Sequence, residues 1–327
     1  MQIQLNVLET KKSFNKNLYD VVVIGSGPGG MNASLYAKRK GLDVLLIGLQ
    51  TGGQLINTTD VDNYLGSIHL TGAALSQEFL KHIQSADVEY HSETEVSQLT
   101  KNGEVFNIQT MDGQEVSSKT VILATGGNPR HLGLDKEEYF ANRGLSYCAI
   151  CDAPLFAGKE VAVVGGGNSA VEAAIDLAKV SKQVTVVHRS QFRADKPLMD
   201  KLYSLENVEV FLGYEVKELI GDSSLEKIVI KSNQDDSHTT LEVGGLFIEI
   251  GLNPNSELVQ GMVDLNDRKE VIVDDHKKTS VDGLYAIGDV STSEKQIIVA
   301  ASDGALAALA ANSYINQMKG DTNGKII

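Results

Sequence analysis

Two glycine turns constrain this chain more than any other feature: Gly25-Ser26-Gly27-Pro28-Gly29-Gly30 and Gly165-Gly166-Gly167-Asn168-Ser169-Ala170. Each follows a short β-branched run, residues 19–24 (YDVVVI) and 160–164 (EVAVV), and each opens a helical stretch. A second apolar run closes each unit, at 43–47 (DVLLI) and 183–187 (QVTVV). A strand, tight turn, helix and strand in about 30 residues begin a doubly wound sheet. One such unit could be coincidence. Two predict an α/β fold with two Rossmann-like dinucleotide-binding domains.

The length of 327 residues suits two domains at roughly 150 residues each. Clusters of glycine, asparagine and proline at 126–129 and 251–255 read as linkers that bracket the second unit. The second domain, residues 128–255, is therefore expected as an insertion into the first, residues 1–127 and 256–327. Strand-like pieces lie around 88–122, ending in VILATGG (121–127), and again at 208–211, 226–231 and 246–250. Residues 283–289 read as a strand ending in Gly288-Asp289, before an alanine-rich helix over about 296–317.

In both turns the first glycine permits the tight bend, and the second lets the backbone approach a pyrophosphate. The third small residue, Gly30 or Ala170, allows close packing of helix on strand, and the helix start offers free N–H groups. In the first turn the dinucleotide candidates are Gly25, Gly27, Pro28 and Gly30; in the second they are Gly165, Gly167, Asn168, Ser169 and Ala170. The ribose rule expects an acid at the end of the second strand. The first unit has Ile47-Gly48-Leu49-Gln50 there, leaving Gln50 as the candidate hydrogen-bonding group. The second unit has His188-Arg189-Ser190-Gln191-Phe192-Arg193. Guanidinium groups chelate a 2′-phosphate where a carboxylate would repel it, which favours NADPH. Arg189 and Arg193 as merely solvated surface charges is the competing reading.

Only two cysteines occur, and they form one Cys148-Ala149-Ile150-Cys151-Asp152 motif. Two are too few for a secreted disulfide scaffold and for a four-ligand zinc site, and none of the seven histidines is placed as a ligand, so no metal is expected. Thiols at this spacing can close a small disulfide loop and often have a lowered pKa. Asp152 directly after them could carry the proton that thiolate chemistry needs. The balance of 29 Lys and Arg against 43 Asp and Glu, a net charge of −14, argues against nucleic-acid or anionic-membrane partners. No run of about 18 apolar residues stands out as a membrane span. Residues 1–18 lack an apolar signal core, so the expected location is cytoplasmic.

The order of these motifs resembles the low-molecular-weight thioredoxin reductases, within the pyridine nucleotide–disulfide oxidoreductases, from about residue 19 to 317. Further shared motifs are Gly52-Gly53-Gln54-Leu55, Thr59-Asp60-Val61-Asp62-Asn63-Tyr64, Ala124-Thr125-Gly126, the segment GLYAIGD and Lys295-Gln296. The resemblance implies FAD in the first site, NADPH in the second, and a homodimer whose nucleotide domain rotates. It places Gln54 and Asn63 along the flavin, Asp289 at the ribityl–phosphate end and Gln296 at the isoalloxazine edge. Asp152 matches the family's acid beside the dithiol.

The sequence departs from that pattern in two places. The family's His-Arg-Arg is here His188-Arg189-Ser190, with Phe192 one residue closer. The Ala153-Pro154-Leu155-Phe156 run, and Lys295-Gln296-Ile297-Ile298, look closer to the flavoprotein component of alkyl hydroperoxide reductase, which prefers NADH. The expected function is an NADPH-dependent thioredoxin-disulfide reductase acting on thioredoxin or a thioredoxin-like protein. The alternatives are an NADH-dependent reductase of a peroxiredoxin system and a low-turnover flavin-binding redox module.

Overall fold

The computed structural model describes residues 13–58 and 61–323, with side chains to 318. Thr59, Asp60 and residues 1–12 of the N-terminal stretch lie outside the described residues. The chain divides into two compact units, 1–53 with 78–126 and 255–327, and 54–77 with 127–254. Residues 54–77, placed in the first domain by the sequence reading, thus group with the second unit.

In the first unit the strands Leu18–Ile24, Val44–Ile47, Glu89–His91, Glu115–Leu123 and Leu284–Ala286 run parallel. Their order across the sheet is Glu89–His91, Val44–Ile47, Leu18–Ile24, then Glu115–Leu123. Strand Glu115–Leu123 pairs at its C-terminal end with Leu284–Ala286, through Leu284↔Val121, and at its start antiparallel with Val105–Thr110. The apolar run of the first strand is explained by burial on both faces. Val21 and Val23 enter one core with Leu46, Met31 and Ile83, whereas Val22 and Ile24 enter the other with Leu45, Ile47 and Phe106. Helix Pro28–Arg39 has Pro28 in its first turn, where a missing N–H costs nothing, and ends before Gly41 with φ +77°.

The long helix runs from Ile297 to Asn323 and contributes Ala307, Ala308, Ala311 and Ile315 to the first of those cores. Its segment Ile297–Met318, with a mean hydropathy of 1.3, is long and apolar enough to cross a membrane by composition alone. The segment is not a continuous apolar run, since Ser302, Asp303 and Gly304 interrupt it, and the sequence reading therefore named no span there. Its alanines are spent on packing inside the unit.

The second unit repeats the plan. Its parallel strands lie in the order Val208–Leu212, Gln183–His188, Glu160–Val164, Gly245–Ile248, Leu145–Ser146. Helix Asn168–Ala178 follows the glycine turn, and a separate antiparallel sheet holds Tyr214–Gly221, Leu225–Ser232 and His238–Glu242. The two linker clusters pair with each other as an antiparallel ribbon, Gly127–Pro129 with Leu252–Pro254. Both strands of the ribbon belong to this unit.

Candidate functional site

The first glycine turn can be sorted by what a side chain would meet there. A Cβ on Gly25 would lie 2.1 Å from the carbonyl oxygen of Ala124, and one on Gly30 would lie 1.8 Å from that of Gly25. Packing alone forces those two positions. At Gly27 the nearest atom is 4.0 Å away, so packing does not explain the glycine. Gly27 caps helix Pro28–Arg39 without a side-chain hydrogen bond, so no capping side chain satisfies the first-turn N–H groups. A bound diphosphate fits that space and those donors.

Around this turn the end of strand Val44–Ile47 carries hydroxyls in place of a carboxylate. Ser26 Oγ donates to the Gln50 carbonyl at 2.9 Å, Tyr90 OH donates to Ser26 Oγ at 3.1 Å, and Thr51 Oγ1 lies 2.6 Å from Tyr90 OH. The sequence reading picked Gln50 and missed Ser26, Thr51 and Tyr90. Ala124 and Thr125 sit where the first strand's neighbour ends; the Thr125 hydroxyl donates to the Asn255 carbonyl at 2.7 Å, and Asn255 Nδ2 donates back to the Thr125 carbonyl. Gly126 accepts the Asn255 N–H at 3.0 Å.

Asp289 lies in the turn Gly288–Val290 just beyond strand Leu284–Ala286, and burial pushes its carboxyl above the ordinary aspartate value against the pull of Lys295. Gly288 N–H donates to Asp303, which is ion-paired with Lys277 at 2.8 Å. Lys295 donates to Glu270 and to the carbonyls of Asp289 and Thr292, so its ammonium braces the loop. Gln296 directly precedes helix Ile297–Asn323. Gln54 and Asn63 both fall in the second unit, where Gln54 Nε2 donates to Asn128 Oδ1 at 2.9 Å.

The second turn sorts in the same way. A Cβ on Gly165 would stand 2.3 Å from the Glu249 carbonyl oxygen and 2.5 Å from the Ala170 methyl, whereas Gly167 has nothing within 4 Å. Gly167 caps helix Asn168–Ala178, again without a side-chain hydrogen bond. The open face above Gly167 and Ser169 fits a second diphosphate. Asn168 ties the following loop to the helix start, accepting the Asp195 N–H at 2.9 Å and donating to its carboxylate at 2.8 Å.

His188 packs under Gly166, stacks on Phe192 at 5.9 Å, and is pushed toward the neutral form by burial, with Arg193 and Arg189 adding to the effect. Arg193 is placed by its N–H, which donates to the Gly166 carbonyl at 2.7 Å. Both guanidinium side chains are exposed, and among the described residues neither is in an ion pair. Such groups are available to a phosphate.

Cys148 and Cys151 are joined by a disulfide, with their Cα atoms 5.3 Å apart. Cys148 immediately precedes the single helical turn Ala149–Asp152. Ser146 organises this segment: its Oγ accepts the Cys148 N–H at 3.0 Å and donates to Asp152 Oδ2 at 2.6 Å. The carboxyl predicted beside the dithiol is thus aimed by a residue on strand Leu145–Ser146, which pairs with Gly245–Ile248. Two more acids approach the segment, and the sequence reading missed both.

The first is Glu137, which is buried and accepts N–H bonds from Leu132, Gly133 and Leu134, and the hydroxyl of Tyr147 at 2.9 Å. The second is Glu249, whose Oε1 accepts the Ala149 N–H at 3.3 Å. Burial pushes Glu249 up to about 7, and the Ala149 hydrogen bond only partly opposes it. After the cysteines the turn Ala153–Phe156 seats Phe156 edge-on against Phe247 at 4.9 Å, leaving Leu155 and Ile150 exposed.

Two glycine turns open for diphosphates and a redox-capable cysteine pair on the second unit define a known constellation. The family model for pyridine nucleotide–disulphide oxidoreductases matches residues 19–304. The chain belongs to that family. Members of the pyridine nucleotide–disulphide oxidoreductases are flavoproteins, and membership implies FAD and a pyridine nucleotide.

Among solved structures, a thioredoxin reductase from Streptococcus pyogenes is similar at 38% identity with a TM-score of 0.86, covering 92% of this chain and 99% of that one. A thioredoxin reductase from Giardia duodenalis matches at 29% identity with the same TM-score of 0.86, covering 92% of this chain and 100% of its own. Among curated proteins, an NADH dehydrogenase of Bacillus subtilis is 39% identical over 92% of this chain. An alkyl hydroperoxide reductase component of Escherichia coli is 38% identical over 93% of this chain. The chain spans 59% and 60% of the lengths of those two relatives.

Proposed function

We propose that this chain is an NADPH-dependent, FAD-containing thioredoxin-disulfide reductase, acting as a homodimer on thioredoxin or a thioredoxin-like protein disulfide. FAD, when bound, supplies the two-electron chemistry that connects a nicotinamide with a disulfide. The observation that carries the reading is the Cys148–Cys151 disulfide beside Asp152, borne on a nucleotide-binding unit.

Reduced, the pair presents two thiols at the start of one helical turn. A thiolate from it attacks the partner's disulfide, a mixed disulfide forms, and the second cysteine displaces the partner as a dithiol. Asp152, steered by Ser146, holds the proton that must leave one sulfur and return to another. Gly27 and Gly167 leave room for the two diphosphates, while Arg189 and Arg193 supply positive charge for a 2′-phosphate. A pair that cycles through the dithiol state suits a reducing compartment, which supports a cytoplasmic location.

The alkyl hydroperoxide reductase relative favours a second reading, in which NADH is the donor and a peroxiredoxin system the acceptor. Steady-state turnover decides between them. Purified protein is supplied with NADPH or NADH, and with thioredoxin or a peroxiredoxin-linked carrier. Thioredoxin reduction with a preference for NADPH, lost in Cys148→Ser and Cys151→Ser while flavin is retained, is the expected result. Full thioredoxin turnover in either cysteine variant would refute the dithiol mechanism. Nicotinamide-driven bleaching of the flavin without any acceptor reduction would point to the redox module.

A further inference from the structure

The carboxyl of Glu249 meets the cysteine segment at Ala149, 100 residues away in the chain. Glu249 follows strand Gly245–Ile248, and its N–H donates to the Val164 carbonyl at 2.8 Å. Its carbonyl presses on Gly165 of the second glycine turn, so its backbone is locked between two structural elements. From there Oε1 takes the N–H of Ala149, which is buried and directly follows Cys148.

We propose that Glu249 is a positioning residue that sets, through the Ala149 N–H, how readily the reduced Cys148–Cys151 pair holds a thiolate. The inference rests on the pair being a working dithiol, as proposed above. The chemistry balances simply. The S–S bond breaks on taking up two electrons and two protons, and the product is two thiols. The electrons come from the reduced flavin of the proposed function, or from dithiothreitol in a test. Loss of one proton then leaves a thiol and a thiolate.

A neutral Glu249 does not oppose that loss. An ionised Glu249 does, in two ways: it adds a negative charge at the residue that follows Cys148, and as a carboxylate it holds the Ala149 N–H more strongly than a neutral carbonyl oxygen does. The titratable groups on the elements around it are Tyr147, Cys148, Cys151 and Asp152 of the cysteine segment, His188 at the end of strand Gln183–His188, and Arg130 near Gly251. None of these contributes to its shift; burial raises it, to about 7 in the disulfide form. Glu249 therefore changes charge in the range where a thiol of this kind also titrates.

The test is a redox equilibrium of the full-length protein with dithiothreitol buffers over a range of pH, with the dithiol fraction read by maleimide capture. It involves neither nicotinamide nor thioredoxin. Glu249→Gln keeps an oxygen acceptor for Ala149 and loses only the charge. At about pH 5.5 the variant and the wild type should have the same equilibrium constant, and at about pH 8 the variant's should favour the dithiol about tenfold more.

The alkylation rate of the dithiol should show a thiol pKa lower by about one unit in the variant. Matching pH profiles in the two proteins would overturn the inference while leaving the redox role of the cysteines intact. Failure of dithiothreitol to open the disulfide at any pH would overturn both. If the glutamine variant fails to fold, ¹³C-carboxyl NMR of the wild type gives the second readout: a glutamate titrating near neutrality in the disulfide form, and higher in the reduced form, supports the proposal. Ordinary carboxylate titration for every glutamate in both forms overturns it.

Discussion

Replacing Gly167 with alanine adds a methyl group where the protein has no atom within 4 Å. The backbone there is extended, with φ −96° and ψ −177°, which any L-residue adopts. Alanine is a poorer helix cap than glycine by about 1 kcal/mol at most. Restricting the unfolded chain returns about 0.4–1 kcal/mol. The net change in stability should fall within about 1 kcal/mol of zero.

Gly165→Ala, two residues earlier, meets the Glu249 carbonyl oxygen at 2.3 Å and the Ala170 methyl at 2.5 Å. One obstacle is backbone at a strand end and the other sits on a packed helix, so neither can retreat. Overpacking of that kind should cost about 3 kcal/mol or more.

Binding should follow the opposite order of surprise. If a diphosphate lies on the open face of Gly167, the harmless methyl removes its room, and a comparable loss of about 3 kcal/mol weakens NADPH about 100-fold. Thermal unfolding without nucleotide, followed by calorimetric titration with NADPH, measures both quantities on the same samples. A Gly167→Ala protein that folds normally and binds NADPH within about threefold of the wild type would refute the assignment of this turn to a phosphate. So would a Gly167→Ala protein as unstable as Gly165→Ala.

Three further outcomes are expected. Replacing Arg189 and Arg193 together by alanine should raise the KM for NADPH about tenfold or more and leave that for NADH unchanged, because only the former has a 2′-phosphate to lose; equal effects on both would remove the argument. Glu137 is raised by burial, but four donors outweigh it and hold its carboxyl below 4.5 in the folded protein. Its stabilisation is therefore complete above the unfolded value and lost as pH falls through the lower, folded value. Glu137→Gln should lose about 2 kcal/mol at neutral pH and less in acid, measured as Tm against pH. Asp303→Asn should cost about 3 kcal/mol, since it leaves the Lys277 ammonium without its carboxylate at a site where the aspartate side chain is only 5% exposed. In that case Lys277→Met on the same background should recover part of the lost Tm, and no recovery would show that the ion pair is not the cause.

Much of the scaffold is legible in the residues alone. The strands at 19–24, 160–164 and 183–187, and the helices behind both glycine turns, are written in local periodicity and lie within a few residues of the places it predicts. Helix Asn168–Ala178 begins three residues before its apolar pattern, because Gly167 and not Ala170 ends the turn. Helix Gly72–Ser85 was not anticipated, although Leu75, Phe79 and Ile83 recur at helical spacing and Leu75 and Ile83 are buried. Ser146 and Glu249 were equally hidden, since neither belongs to a motif.

The sequence by itself determined that two dinucleotide turns exist, that all the cysteine chemistry resides in Cys148 and Cys151, and that Asp152 accompanies them. Those are facts of residue type at short spacing, and short spacing survives any tertiary arrangement. Only the tertiary structure decided which glycines answer to packing and which stand open, because that distinction depends on what stands within a few ångströms. It also decided that Glu249 meets Ala149 across 100 residues of chain. That contact follows from the parallel register of Gly245–Ile248 on Leu145–Ser146, in which Phe247 opposes Ser146. Strand register is set by the whole sheet, so no segment of the chain announces it alone.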